Sequence, residues 1–116
     1  MKTAFTYWNK RISPVFDTAR RIKIIESESG RVVHESLETM ESDLPVQKTF
    51  RLTELGVDTL VCGAVSKSLH EMLSAHGIRV ISFVAGDLQE VIQAWLNGDL
   101  EQQVAFTMPG CTRRAA

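Results

Sequence analysis

Hydrophobic and polar positions along this chain alternate between two periods, and each change of period marks the edge of an element. Thr3 to Trp8 is rich in aromatic and β-favouring residues and predicts a first strand. Arg21 to Ser27 alternates, with Ile22 and Ile24 on one face. Arg31 to Ser36 returns after the turn Glu28-Ser29-Gly30, so the pair predicts an antiparallel hairpin. Between the first two strands, Asn9 to Pro14 is a basic, polar loop. Ser13-Pro14 stiffens it, because proline fixes its own φ and holds the preceding residue extended. Glu38 to Asp43 is acidic and predicts a loop. Pro45 suits the first turn of a helix on which Val46, Phe50 and Thr53 share a face, and Gly56 suits its left-handed end.

From Leu55 to Gly98 one unit is spelled twice: glycine, short apolar run, small-residue turn, amphipathic helix, glycine. The first copy runs from Gly56 through Val61-Cys62-Gly63 to Gly77, the second from Gly77 through Ile81-Ser82-Phe83 to Gly98. Strand, crossover helix, strand is how a chain builds a parallel sheet. The first helix of the pair starts at Ser66 or at Ser68, which forms a capping box with Glu71; its inner stripe is Leu69, Met72, Leu73 and His76. The second is capped by Asp87, with Glu90 three residues on, and buries Leu88, Val91, Ile92, Trp95 and Leu96. Asp99 to Phe106 adds at most one short element. The expected architecture is a mixed α/β sheet, with an antiparallel hairpin and helices on its faces.

The chain has 116 residues, enough for one core; we expect a single domain over 1–106 and a tail over 107–116. A formal net charge of −1 argues against nucleic acid or acidic membrane surfaces as bulk partners. No apolar run reaches transmembrane length and the N-terminus does not read as a signal peptide, which points to the cytoplasm. Two cysteines make no disulfide framework.

Candidate chemistry gathers at the turns. Gly63-Ala64-Val65-Ser66 leaves a strand and opens a helix. Small residues there let a ligand approach the backbone, and the N–H groups with the helix dipole favour negative charge. Gly86-Asp87 repeats the arrangement one unit later, and the first loop brings Lys10, Arg11 and Ser13 toward the same edge. Together the loops would form a shallow cup for a multiply charged anion; a ligand-free tight turn and solvated cations are the plainer alternative. No P-loop or dinucleotide fingerprint is present. His34, His70 and His76 match no metal spacing, and Asp17, Asp58 and Asp87 are too scattered for a metal-dependent hydrolase, so the sequence points away from an enzyme. Cys111, in Pro109-Gly110-Cys111, is either a soft-metal ligand or an incidental thiol.

Ser13 to Ala19 followed by Ile22 to Glu26 resembles the early signature of one family. Gly56 to Val65 resembles its central signature, and Leu73 to Val80 with Leu96 to Leu100 extends the likeness over nearly the whole chain. The family is that of dinitrogenase iron–molybdenum cofactor biosynthesis, which includes NifX, NifY, C-terminal parts of some NifB proteins and small orange proteins. The resemblance implies a ribonuclease H-like three-layer α/β/α sandwich with a sheet of about five strands. It implies a non-enzymatic accessory protein that binds, carries or assembles an anionic metal–sulfur cluster containing molybdenum, iron, or molybdenum with copper. A cluster donor or acceptor protein would be its partner. Nitrogenase-linked members tend to carry a histidine just before the early phenylalanine and a glycine after it; here those positions are Val15 and Asp17. Cluster binding would then rest on the amides of Gly63, Ala64, Val65, Ser66, Gly86 and Asp87, on Arg11 and Ser13, and on Cys111 as the metal ligand. The alternative is an interaction or regulatory module of the same fold without a cluster.

Overall fold

The computed structural model describes residues 1–102 and 106–108. Strand β1 (Lys2–Trp8) turns at once into the short β2 (Arg11–Ile12). Asn9 and Lys10, expected in a basic, polar loop, form a tight turn with φ of 48° and 67°. Positive φ at both central residues is what a two-residue hairpin turn needs to match strand twist. Next come β3 (Arg21–Glu28) and β4 (Arg31–Thr39), joined through Ser29 and Gly30, both at positive φ. Strand β4 runs three residues past the expected end at Ser36, because pairing with β3 outweighs the acidic composition of Leu37-Glu38-Thr39.

Helix α1 (Pro45–Glu54) follows, then β5 (Thr59–Val61), α2 (Lys67–Ala75), β6 (Arg79–Ile81), α3 (Leu88–Leu96) and a 3-10 turn at Leu100–Gln102. The sheet order is β4-β3-β1-β5-β6, with β2 paired to β1. Strands β1, β5 and β6 are parallel and β3 and β4 antiparallel to their neighbours. Counted with β2 the sheet has six strands rather than about five.

Alternation along the strands builds a core on each face. Ala4, Ile22, Leu60 and Val80 pack with Leu52 of α1 and with Leu69 and Leu73 of α2. Phe5, Ile25, Val61 and Ile81 pack with Val91 and Ile92 of α3. Sheet and helices thus form three layers, an α/β sandwich. Leu69 and Leu73 are fully buried, and truncating either to alanine would cost about 2–5 kcal/mol. Met72 and His76, expected on the inner stripe of α2, are half-buried and exposed. On α1 the buried residues are Lys48, Thr49 and Leu52, and the face carrying Val46, Phe50 and Thr53 is turned outward. Among the described residues no helix is long and apolar enough to cross a membrane.

Candidate functional site

Three parallel strands deliver three connections to one edge of the sheet. The turn after β5 is Cys62 to Ser66, the turn after β6 is Ser82 to Asp87, and the segment after β1 is Asn9 to Ala19. Backbone hydrogen bonds stitch them together. Phe83 N–H donates to Gly63 O at 2.9 Å and Val84 N–H to Cys62 O at 3.0 Å, which joins the two turns. Ile12 N–H donates to Gly86 O at 3.0 Å and Leu88 N–H to Lys10 O at 2.8 Å, which joins the first hairpin to the second turn. Ala64 N–H donates to Pro14 O at 2.8 Å and Phe16 N–H to Ala64 O at 2.7 Å, which joins the proline loop to the first turn. Ser13 N–H donates to Thr6 O at 3.1 Å and anchors that loop to β1.

This stitching decides which peptide groups have a partner. Gly63 is a packing glycine: a Cβ there would meet Ser13 O at 2.4 Å and Pro14 O at 2.5 Å. Ala64 N–H is consumed by Pro14. Ser66 N–H is consumed by the Asp17 carboxylate, with Oδ1 at 2.9 Å. Ser66 also caps α2, its hydroxyl accepting from Leu69 N–H at 3.4 Å, and Asp87 caps α3, accepting from Glu90 N–H at 3.1 Å. Among the described residues the N–H groups of Gly63, Val65, Gly86 and Asp87 make no hydrogen bond. Arg11 is exposed, lies opposite Asp87 across an isolated antiparallel bridge, and forms no ion pair among the described residues.

At this edge Gly63 and Val65 are buried and the Phe106 ring lies against Gly86, while Arg11 is exposed. Two clefts of about 560 and 500 Å³ lie elsewhere, one between α1 and the end of β4, the other at the opposite end of the sheet near Arg79 and Trp95. Thr107 pairs with Val84, and Met108 N–H donates to Phe83 O at 2.9 Å, so the first residues of the expected tail lie against the second turn. Cys111 lies outside the described residues.

Two participants escaped sequence reasoning. Phe83 sits at φ 59°, a left-handed conformation that costs a bulky residue about 1–2 kcal/mol, and the two turns hold it there. Asp17, which looked like one of several scattered acids, reaches the start of α2 and raises the pKa of Cys62, second to burial, which is the larger cause. The only local hint was a carboxylate two residues after Val15 in a proline-stiffened loop. Lys48 completes the support. It is buried at 1% exposure, its ammonium donates to Ala19 O at 2.5 Å, and it lies 4.8 Å from the Phe16 ring centroid.

No three His, Cys, Asp or Glu side chains converge among the described residues. The described part of this edge therefore carries unbonded amides and the exposed Arg11, with no set of metal-ligating side chains.

An α/β/α sandwich whose connections converge beyond the carboxyl ends of its parallel strands is the architecture of proteins that bind at such an edge. Residues 1–98 match the family described as dinitrogenase iron-molybdenum cofactor, and the chain belongs to that family. No curated protein matches it by sequence. Solved structures share the fold. The apo form of the orange protein from Desulfovibrio gigas is 16% identical with a TM-score of 0.71, covering 98% of this chain and 96% of that one. A candidate dinitrogenase from Methanocaldococcus jannaschii is 18% identical with a TM-score of 0.67, covering 85% and 90%. A candidate NifB protein from Thermotoga is 22% identical with a TM-score of 0.65, covering 99% and 98%.

Proposed function

We propose that this chain is a non-catalytic accessory protein that binds and carries an anionic metal–sulfur cluster, seated on the rim between the turns after β5 and β6. The observation that carries this reading is the set of four N–H groups, on Gly63, Val65, Gly86 and Asp87, that make no hydrogen bond among the described residues on two adjoining turns. Peptide donors of this kind suit sulfide and oxo ligands, and each charge-assisted bond contributes about 1.5–3 kcal/mol. Arg11 offsets part of the cluster's charge, and Ser13 holds the loop that carries it. Membership of a family concerned with the iron–molybdenum cofactor supports a metal–sulfur cargo in general. Molybdenum, iron and molybdenum–copper clusters all fit that chemistry. Cys111 would add a thiolate ligand, a cluster donor or acceptor protein would be the partner, and the cytoplasm would be the setting.

Anaerobic reconstitution with tetrathiomolybdate and copper, or with an iron–sulfur precursor, should give a visible chromophore at one cluster per chain. Arg11→Glu should weaken it. The absence of any stoichiometric chromophore under all of these conditions would overturn the reading.

A second reading is an interaction module that keeps the fold without a cluster. The Asp17–Ser66 contact favours it, since it places a carboxylate where an anion would meet the start of α2. A protein partner captured equally well from metal-depleted extract would select this second reading.

A further inference from the structure

The outer edge of the sheet is a long strand that no other described element pairs with on its far side. Every odd-numbered residue of β4 from Arg31 to Thr39 is exposed, including Leu37 at 66%. The hydrogen bond from Met40 N–H to Arg20 O, 2.7 Å, sets the phase of the β3–β4 ladder. In an antiparallel ladder bonded and non-bonded pairs alternate. His34, Ser36 and Glu38 therefore bond inward to β3, and Glu35 and Leu37 turn their N–H and C=O groups away from the molecule. Val33 is a bulge, skipped where the partner of Glu26 is His34 and that of Ser27 is Val32. Thr39 O already accepts from Arg51 Nε at 3.4 Å. Next to Ser36 the outward peptide groups are therefore those of Glu35 and Leu37.

We propose that a second copy of this chain pairs with that stretch, β4 against β4, antiparallel, about a two-fold axis at Ser36. Read against itself, the strand permits few registers. Centring on Glu35 or Glu38 opposes like charges. Centring on Leu37 sets Glu35 against Thr39, whose carbonyl is taken, and centring on Val33 or His34 runs into the bulge. Centring on Ser36 pairs Glu35 with Leu37 twice, which joins their outward peptide groups in four hydrogen bonds. It also sets His34 opposite Glu38 on both sides of the axis. That pair is of the closely spaced kind, so the ring can hydrogen-bond the carboxylate. Such an axis leaves each α1 on one face of the joined sheet, because Arg51 of α1 contacts Glu38 on that face, at 3.2 Å. It brings along the exposed Val46 and Phe50, which line the groove of about 560 Å³ beside Met40. Edge pairing alone buries too little surface for a stable dimer, and we assign the remainder of the contact to this apolar flank.

The 116-residue chain is examined by sedimentation equilibrium at about 1–300 µM, which spans micromolar dissociation constants. We expect twice the chain mass of 13.0 kDa. Leu37→Pro should return the single mass while the chain stays folded, because the N–H it removes is not part of the β3–β4 ladder; its melting temperature should match that of wild type diluted to the single mass. A wild type that stays at the single mass, or a folded Leu37→Pro chain that stays at twice it, overturns the proposal. Should Leu37→Pro fail to fold, register is read by mild oxidation in a Cys111→Ser background. Ser36→Cys should form an intermolecular disulfide, since closely spaced cross-strand Cα atoms sit about 4.5 Å apart, within disulfide range. Glu35→Cys should not. No Ser36→Cys dimer, or equal yields from the two variants, overturns the register. None of these readouts depends on cluster loading.

Discussion

The carboxylate of Asp17 accepts the backbone N–H of Ser66 at 2.9 Å, so the start of α2 already holds a negative charge supplied by the chain itself. An anionic cargo on the neighbouring amides must tolerate that charge. Asp17→Asn keeps an acceptor at the same place and removes the repulsion. We expect it to bind tetrathiomolybdate several-fold tighter than wild type, about 1 kcal/mol, at a stability cost of similar size. Titration followed by visible absorption checks this; equal affinities would show that the cargo sits away from α2.

Gly63 lies against the backbone of Ser13 and Pro14, where a methyl group finds 2.4 Å. Both neighbours are main-chain atoms held by hydrogen bonds, so neither can give way cheaply. Gly63→Ala should destabilise the fold by about 3 kcal/mol, the upper range for overpacking. In a chain of this size that lowers the melting temperature by roughly 10 °C. A calorimetric shift within a degree or two of wild type would mean that the proline loop swings aside.

Burial lowers the pKa of Lys48 below the ordinary 10.5; Asp43 and Asp17 oppose that shift and Arg20 adds to it. Between the folded value and 10.5 the unfolded chain holds more protons than the folded one, so stability rises with pH across that window. Lys48→Met fills the volume, loses the bond to Ala19 O, and should cost about 1–2 kcal/mol near neutrality. It should also abolish the rise. Urea midpoints at about pH 8 and about pH 10 should therefore show the gap between wild type and variant widening with pH. A constant gap would mean that the folded lysine titrates like a free one.

Burial pushes the Cys62 thiol far above its usual range, and Asp17 pushes it further. A thiol held protonated and out of solvent is a poor nucleophile and a poor ligand. In a Cys111→Ser chain, Ellman's reagent should find no reactive thiol in the native state and one after denaturation. Rapid native labelling would show that the turn after β5 opens.

The elements that were legible in the sequence are those whose signal is local. The cap at Asp87 with Glu90 and the apolar stripe of α3 lie within a few residues of one another, and so do the paired glycine-bounded units. What stayed hidden was long-range. The extension of β4 through Thr39 depends on β3, and the outward turn of Val46 and Phe50 depends on which side of α1 meets the sheet. Asp17 and Ser66 are 49 positions apart, and no periodicity links them.

Taken by itself, the order of residues determined a mixed α/β sheet, the family, and the turns that gather at one edge, because periodicity, glycine placement and capping act between near neighbours. Only the tertiary structure decided which amides of those turns are left without a hydrogen bond among the described residues, which glycine is spent on packing, and which carboxylate occupies the start of α2. Hydrogen-bond partners are assigned by proximity in space, and that proximity exists only after the strands have paired.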